Sequence, residues 1–165
     1  MSILLISPLK PIHIIIGKVT PYFVLSFVIA STVLAIGHFV FQVPIKGSLV
    51  LLFAETLLYM FLSLSIGIFI SIVAKNQQFA MFMSMLGLML PSILLSGFIF
   101  PIENMPLWLQ IFCQIAPPKW FIEIIRSIML KGVGMELIWK QNLVLVAMTV
   151  FFIVMSVKRF KIREL

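Results

Sequence analysis

The chain has 165 residues, of which 62% are apolar and only 10% charged, and its mean hydropathy is +1.23. A soluble domain runs nearer half apolar and a quarter charged, so the composition excludes an ordinary water-soluble core and points to helices solvated by lipid. The net charge of +7 sits on basic residues that flank apolar runs, with no dense basic patch interleaved with aromatics; it is a topology signal, and nucleic-acid binding is excluded.

The single cysteine, Cys113, rules out an internal disulfide framework and a Cys-based zinc site, and reads as a small apolar filler. At the N-terminus there is no basic leader region and no small-residue cleavage site after a continuous apolar core, so no cleaved signal peptide is expected. Ser7-Pro8-Leu9-Lys10-Pro11 cannot be continuous helix, because each proline restricts the residue before it. From Pro11 to Lys18 a short helix is expected at the cytoplasmic interface, either a simple lead-in or a docking surface for a cytoplasmic partner. Gly17-Lys18 is followed by Val19 and lacks the upstream glycine, so it is not a phosphate loop.

Crossing about 30 Å of hydrocarbon takes about 20 mostly apolar residues. Four segments qualify: 19–41, 49–74, 79–100 and 142–157, the last short but extendable by Trp139 as an interfacial anchor. A turn around Pro44 and Gly47 joins the first two, and Lys75-Asn76-Gln77-Gln78 joins the next two; links this short make antiparallel neighbours. Glu55 is the one acid inside a span, roughly 12 Å deep at about 1.5 Å per residue. An intramembrane acid is costly and marks a candidate functional residue; the bland alternatives are a protonated carboxyl or a pair with Lys46. Ser63, Gly67 and Ser71 recur every fourth residue and form a close-packing face, within the chain or between protomers. Pro91 removes a rung of the third span's hydrogen-bond ladder and is expected to kink it.

The link over 101–141 needs structure of its own. Met105-Pro106 opens a short apolar helix over 107–115, and Pro117-Pro118 opens a second that ends near Lys131, with Gly132 and Gly134 as the stop. On the second, Trp120, Phe121, Ile124, Ile125, Ile128 and Met129 make an apolar stripe, while Lys119, Glu123, Ser127 and Lys131 fall on the opposite face. Lys119/Glu123 and Glu123/Arg126 are spaced for ion pairs. This helix is expected to lie along the membrane surface or to dip in against the spans, as an anchor or as an outer gate.

An even number of spans puts both termini on one side. That side carries Lys10, Lys18, Lys75, Lys158, Arg159, Lys161 and Arg163; the other carries Lys46, Lys119, Arg126, Lys131 and Lys140. The C-terminal basic cluster lies tight against a span, so both termini are expected in the cytoplasm. There is no Walker loop, no H-E-x-x-H and no G-x-S-x-G; His13 and His38 stand more than about 30 Å apart along mostly helical chain. An enzyme is therefore not expected, and an intramembrane enzyme using Glu55 is the weakest of the rival readings.

Taken together, several segments resemble the C-terminal half of ABC-2-type transporter permeases. They are Ser7-Pro8-Leu9-Lys10-Pro11, the run from Ile15 through Gly17-Lys18 to Phe23, the run from Ile72 to Met81, and the basic end Arg159-Phe160-Lys161-Ile162-Arg163. The most specific is Leu90-Pro91-Ser92 through Ser96-Gly97-Phe98 to Pro101-Ile102-Glu103-Asn104-Met105-Pro106, followed by Trp120-Phe121-Ile122-Glu123-Ile124-Ile125-Arg126 and Met129-Leu130-Lys131-Gly132. The resemblance covers essentially the whole chain. It implies an all-α membrane half-transporter in the bacterial inner membrane, surrounded by lipid, that dimerises and works with a separate ABC ATPase subunit, on which ATP and Mg would bind. It makes Ser7, Pro8, Leu9, Lys10, Pro11, Gly17 and Lys18 the ATPase-coupling segment. It makes 107–131 re-entrant helices that close the exit, with Pro101, Glu103, Met105, Pro106, Trp120, Glu123 and Arg126 at the outer gate. A full permease of this kind has six spans and an outer domain after the first. This sequence begins just after where the second span would end, so the partner is expected to be a second protomer or the missing N-terminal half, and the rival is a non-transporting remnant that assembles with a full-length permease. Pro117-Pro118-Lys119-Trp120 departs mildly from the family's usual Pro-Leu-Thr/Arg-Tyr-Phe.

Overall fold

Lipid leaves a backbone no partner but itself, so each long apolar run folds as helix. The computed structural model describes residues 11–97 and 102–163. In chain order these form α1 (Pro11–Phe39), α2 (Leu49–Val73), α3 (Gln77–Leu95), a single 3-10 turn (Ile102–Asn104), α4 (Leu107–Ile115), α5 (Pro117–Lys131) and α6 (Met135–Arg163), with no strand among the described residues. Among the described residues four helices are long and apolar enough to cross a membrane: 19–39 within α1, all of α2, all of α3, and 135–159 within α6.

Local chemistry sets the ends. Ser48 caps α2 by accepting from the Leu51 amide at 3.5 Å, and Asn76 caps α3 by accepting from the Phe79 amide at 2.7 Å. Pro106 precedes α4, and Pro117-Pro118 occupies the first turn of α5, where a missing N–H goes unnoticed. Gly132 ends α5 in the left-handed region at φ 67°, its amide returning to the Ile128 carbonyl.

Three elements differ from expectation. The residues expected as a separate lead-in helix, 11–18, are the first turns of a continuous α1 that carries Pro21 inside it. The last helix begins at Met135, so Trp139 lies within α6 rather than flanking it. In α3 the effect of Pro91 appears one turn upstream: Met85–Met89 is a π-helical turn, closed by the Leu90 amide on the Met85 carbonyl. Widening the ladder makes room for the proline ring, which a regular turn would press against the carbonyl four residues back.

α2 is the hub and packs on α1, α3, α5 and α6. Its Leu52, Leu62, Ile66 and Ile70 meet Ile124, Ile128 and Met129 of α5 and Ile138 and Leu145 of α6. Aromatic contacts tie α1 to α2, Phe23 on Phe61 at 4.8 Å and Phe27 on Phe53 at 6.1 Å, while Val24, Val28 and Val33 face outward. Three buried span hydroxyls are satisfied within their own helices, Thr56 donating to Leu52, Ser65 to Phe61 and Thr149 to Leu145, each at 2.7–2.8 Å, while Ser156 Oγ of α6 is buried without a hydrogen-bond partner. The link between α1 and α2 is fastened to the end of α5. The Lys46 amide donates to the Met129 carbonyl at 3.0 Å, and Gly47 passes so close to Ile128 that a Cβ would lie 2.6 Å from its carbonyl oxygen.

Candidate functional site

A cavity of about 430 Å³ opens where α2, α3, α4, the start of α5 and α6 meet. α2 contributes Tyr59, Ser63 and Ile66 at helical spacing. α3 contributes Gly87 and Leu88 from the π-helical turn and Pro91, Ser92 and Leu95 beyond it. Phe112 and Ile115 come from α4, Ala116, Pro117 and Pro118 from the α4–α5 junction, and Phe152 from α6. Tyr59 is held by stacking on Phe121 of α5, centroids 4.1 Å apart and planes 5° from parallel. The lining carries no charge, and its Ser63 hydroxyl donates to the Tyr59 carbonyl at 2.9 Å. The volume lies in the range of small-molecule sites, and the walls suit an apolar body.

The expected gate residues take separate places. Pro101 and the coupling residues Ser7, Pro8, Leu9 and Lys10 lie outside the described residues; Pro11, Gly17 and Lys18 belong to the first turns of α1. Glu103 is exposed in the 3-10 turn, and Pro106 leads into α4. Met105 is drawn to α4, its Sδ 3.8 Å from Cys113 Sγ and its carbonyl accepting from Gln110 Nε2 at 2.9 Å. Cys113 is fully buried, as a small apolar filler should be. Trp120 donates its indole N–H to the Gln114 carbonyl at 2.9 Å, which ties α5 to the end of α4. None of the gate residues among the described residues lines the cavity; the outer helices contribute Phe112 and 115–118 instead.

On α5 the apolar stripe is in place, with Ile124, Ile128 and Met129 buried. The Lys119–Glu123 pair forms at 3.8 Å and is the only ion pair among the described side chains, so Arg126 is exposed and does not join it. One part of the polar face is corrected: Lys119 is buried, its ammonium 4.6 Å from the Trp120 ring centroid. The proline pair turns the first turn of α5 inward, and the long apolar stem of the lysine packs while its head finds Glu123 and the ring.

In the small-residue row, Ser63 is at the cavity, whereas Gly67 and Ser71 are exposed and a Cβ on Gly67 would meet nothing within 4 Å. The row therefore makes no intrachain seam at Gly67 among the described residues. Glu55 is buried in α2, and its partner is Asn142 Nδ2 of α6 at 2.6 Å, not Lys46. His38 donates from Nδ1 to the Val43 carbonyl at 3.1 Å and closes the turn after α1. Among the described residues no cluster of acids, histidines and cysteines is spaced to hold a metal.

Sequence reasoning missed Asn142, which entered only as the first residue of the fourth span. It also missed the cavity residues Tyr59, Phe112, Ile115 and Phe152. No signal marked these, because an apolar residue facing a cavity is chemically the same as one facing lipid.

Comparison with known proteins places a family model, described as ABC-2 type transporter, on residues 2–130. YbhR of Escherichia coli K12, a probable multidrug ABC transporter permease, is 39% identical over 136 residues, covering 82% of this chain and 37% of that protein. YhhJ of the same organism, an inner membrane transport permease, is 32% identical over 165 residues, covering 96% and 42% respectively. ABC transporter G family member 20 of Dictyostelium discoideum is 32% identical over 146 residues, covering 87% of this chain and 20% of its own length. The chain thus spans well under half the length of these relatives. No solved structure matches it.

Proposed function

The chain belongs to the ABC-2 type transporter family, and from that premise we propose that it forms part of the cargo path of an ATP-driven exporter. The observation that carries the reading is the cavity: an uncharged pocket of about 430 Å³ set among membrane-spanning helices and bounded by a π-helical turn and a proline pair. Such a pocket fits a hydrophobic or amphiphilic cargo, in keeping with the multidrug description of YbhR.

These residues carry no phosphate-binding loop, and ATP hydrolysis is assigned to a separate ABC ATPase subunit. The segment from Ser7 to Lys18 would take up that subunit's closing motion, with both termini in the cytoplasm of a cell with this protein in its inner membrane. The path is completed by a second protomer or by an N-terminal permease half, and α4 with α5 forms the outer gate. Transport is then alternating access, with no covalent chemistry by this chain.

The test is purification of the tagged chain from native membranes in mild detergent, followed by mass spectrometry. A stoichiometric P-loop ATPase, with or without a separate N-terminal permease piece, supports the exporter. Recovery of the chain alone, under conditions that retain a full-length relative's ATPase, overturns it in favour of a non-transporting partner of another permease.

A further inference from the structure

Glu55 stands 2% exposed at the α2–α6 interface. Its Oε1 accepts from Asn142 Nδ2 at 2.6 Å, and its Oε2 is buried without a hydrogen-bond partner. The buried residues of the two helices are mostly aliphatic, Leu52, Leu62 and Ile66 with Ile138 and Leu145; beside the pair in sequence, the Thr56 hydroxyl turns back to the Leu52 carbonyl and Gln141 Oε1 is buried without a partner.

In water, an aliphatic seam is held in register because slipping exposes it to solvent. In lipid that penalty vanishes, since acyl chains are as apolar as leucine, and only packing resists a slip along or around the helix axis. A directional bond from the Asn142 amide to a carboxyl oxygen does resist it, because any other register turns Glu55 toward hydrocarbon without a partner. Burial of such a pair adds little stability over packed apolar residues of similar size, and setting a unique register is the best-attested use of buried polar groups.

The register matters to the cavity. Tyr59 lies one turn beyond Glu55 on α2, and Phe152 lies on α6 beyond Asn142; both are cavity walls. We propose that Glu55 and Asn142 form a register lock between α2 and α6 that holds Tyr59 and Phe152 at the spacing that shapes the cavity. They are positioning residues and touch no cargo. The functional consequence rests on the transport reading; the lock itself does not.

Two readouts separate the lock from the transport reading. In full-length protein in native membranes, with Cys113→Ser as background, cysteines replace Phe69 and Phe152, whose rings lie 5.9 Å apart across the same interface. A short bifunctional thiol reagent then reports register, and cargo flux is measured without the added cysteines. Glu55→Gln keeps an acceptor oxygen for Asn142 and is expected to crosslink and to transport like the wild type. The Glu55→Leu/Asn142→Leu double variant is expected to insert and accumulate normally, yet lose crosslinking and flux together. Wild-type crosslinking in the double variant overturns the lock. If that variant fails to accumulate, Asn142→Leu against Glu55→Gln decides: loss of crosslinking in the first alone supports the lock, and equal crosslinking in both overturns it. Crosslinking that is lost without change in flux, or a wild type that moves no cargo, counts against the transport reading and leaves the lock standing.

Discussion

A methyl group at position 47 would sit 2.6 Å from the Ile128 carbonyl oxygen and 2.9 Å from its Cγ2. In the sequence Gly47 marks a turn; in the structure it is the point where the α1–α2 link presses on the backbone of α5. Gly47→Ala is expected to destabilise the purified protein by roughly 1–3 kcal/mol, since the obstacle is backbone rather than a flexible side chain. Gly67→Ala, with open space around it, should change the stability of the chain by less than about 0.5 kcal/mol. Thermal unfolding of the two variants in one detergent tests the contrast, and equal shifts would refute it. In the sequence Gly47 reads as a turn and Gly67 as part of a close-packing row; the structure reverses the expectation of crowding, with Gly47 pressed on Ile128 and Gly67 in open space. For Glu55, the position in a span was legible and the partner, 87 residues away, was not.

At the scale of elements, the helix ends set by local chemistry were legible, while the starts of α1 and α6 were not. Prolines, glycines and Asn76 act through bonds to their own neighbours, so 107–115 and the stop at Gly132 follow from local chemistry. What α5 packs against was less so. Its polar row reads as a solvent face, yet Lys119 is buried, because the long stem of a lysine adapts to whatever the tertiary structure lays beside it. The π-helical turn in α3 likewise follows from Pro91 only once the helix must still cross the membrane; a kink alone was expected. The joint between α2 and α5 combines the aliphatic core with the Tyr59–Phe121 stack. A double-mutant cycle with Tyr59→Leu and Phe121→Leu is expected to show a coupling of roughly 0.5–1.5 kcal/mol in stability, as for other stacked aromatic pairs. Additive single effects would mean that the stack contributes only its bulk.

For the whole molecule, the exporter reading makes demands at both faces of the membrane. Neutralising Lys10 or replacing Pro11 is expected to leave ATP hydrolysis running while transport falls, when both are measured on the assembled transporter in vesicles. Unchanged coupling would remove Ser7 to Lys18 as the docking segment. Reporter fusions at each end of the chain should both be active only in the cytoplasmic format; a split result would invert half of the topology.

The sequence alone determined the class and the existence of the membrane-crossing helices. The reason is that lipid offers a backbone no other partner, so a long apolar run has one outcome wherever it lies in the chain. Tertiary structure decided which faces of those helices meet, that Glu55 reaches Asn142, and that Tyr59, Pro91, Phe112 and Phe152 enclose a cavity. Composition is silent on these points because lipid and a packed helix interface ask for the same apolar side chains, so no periodicity separates an outward face from an inward one.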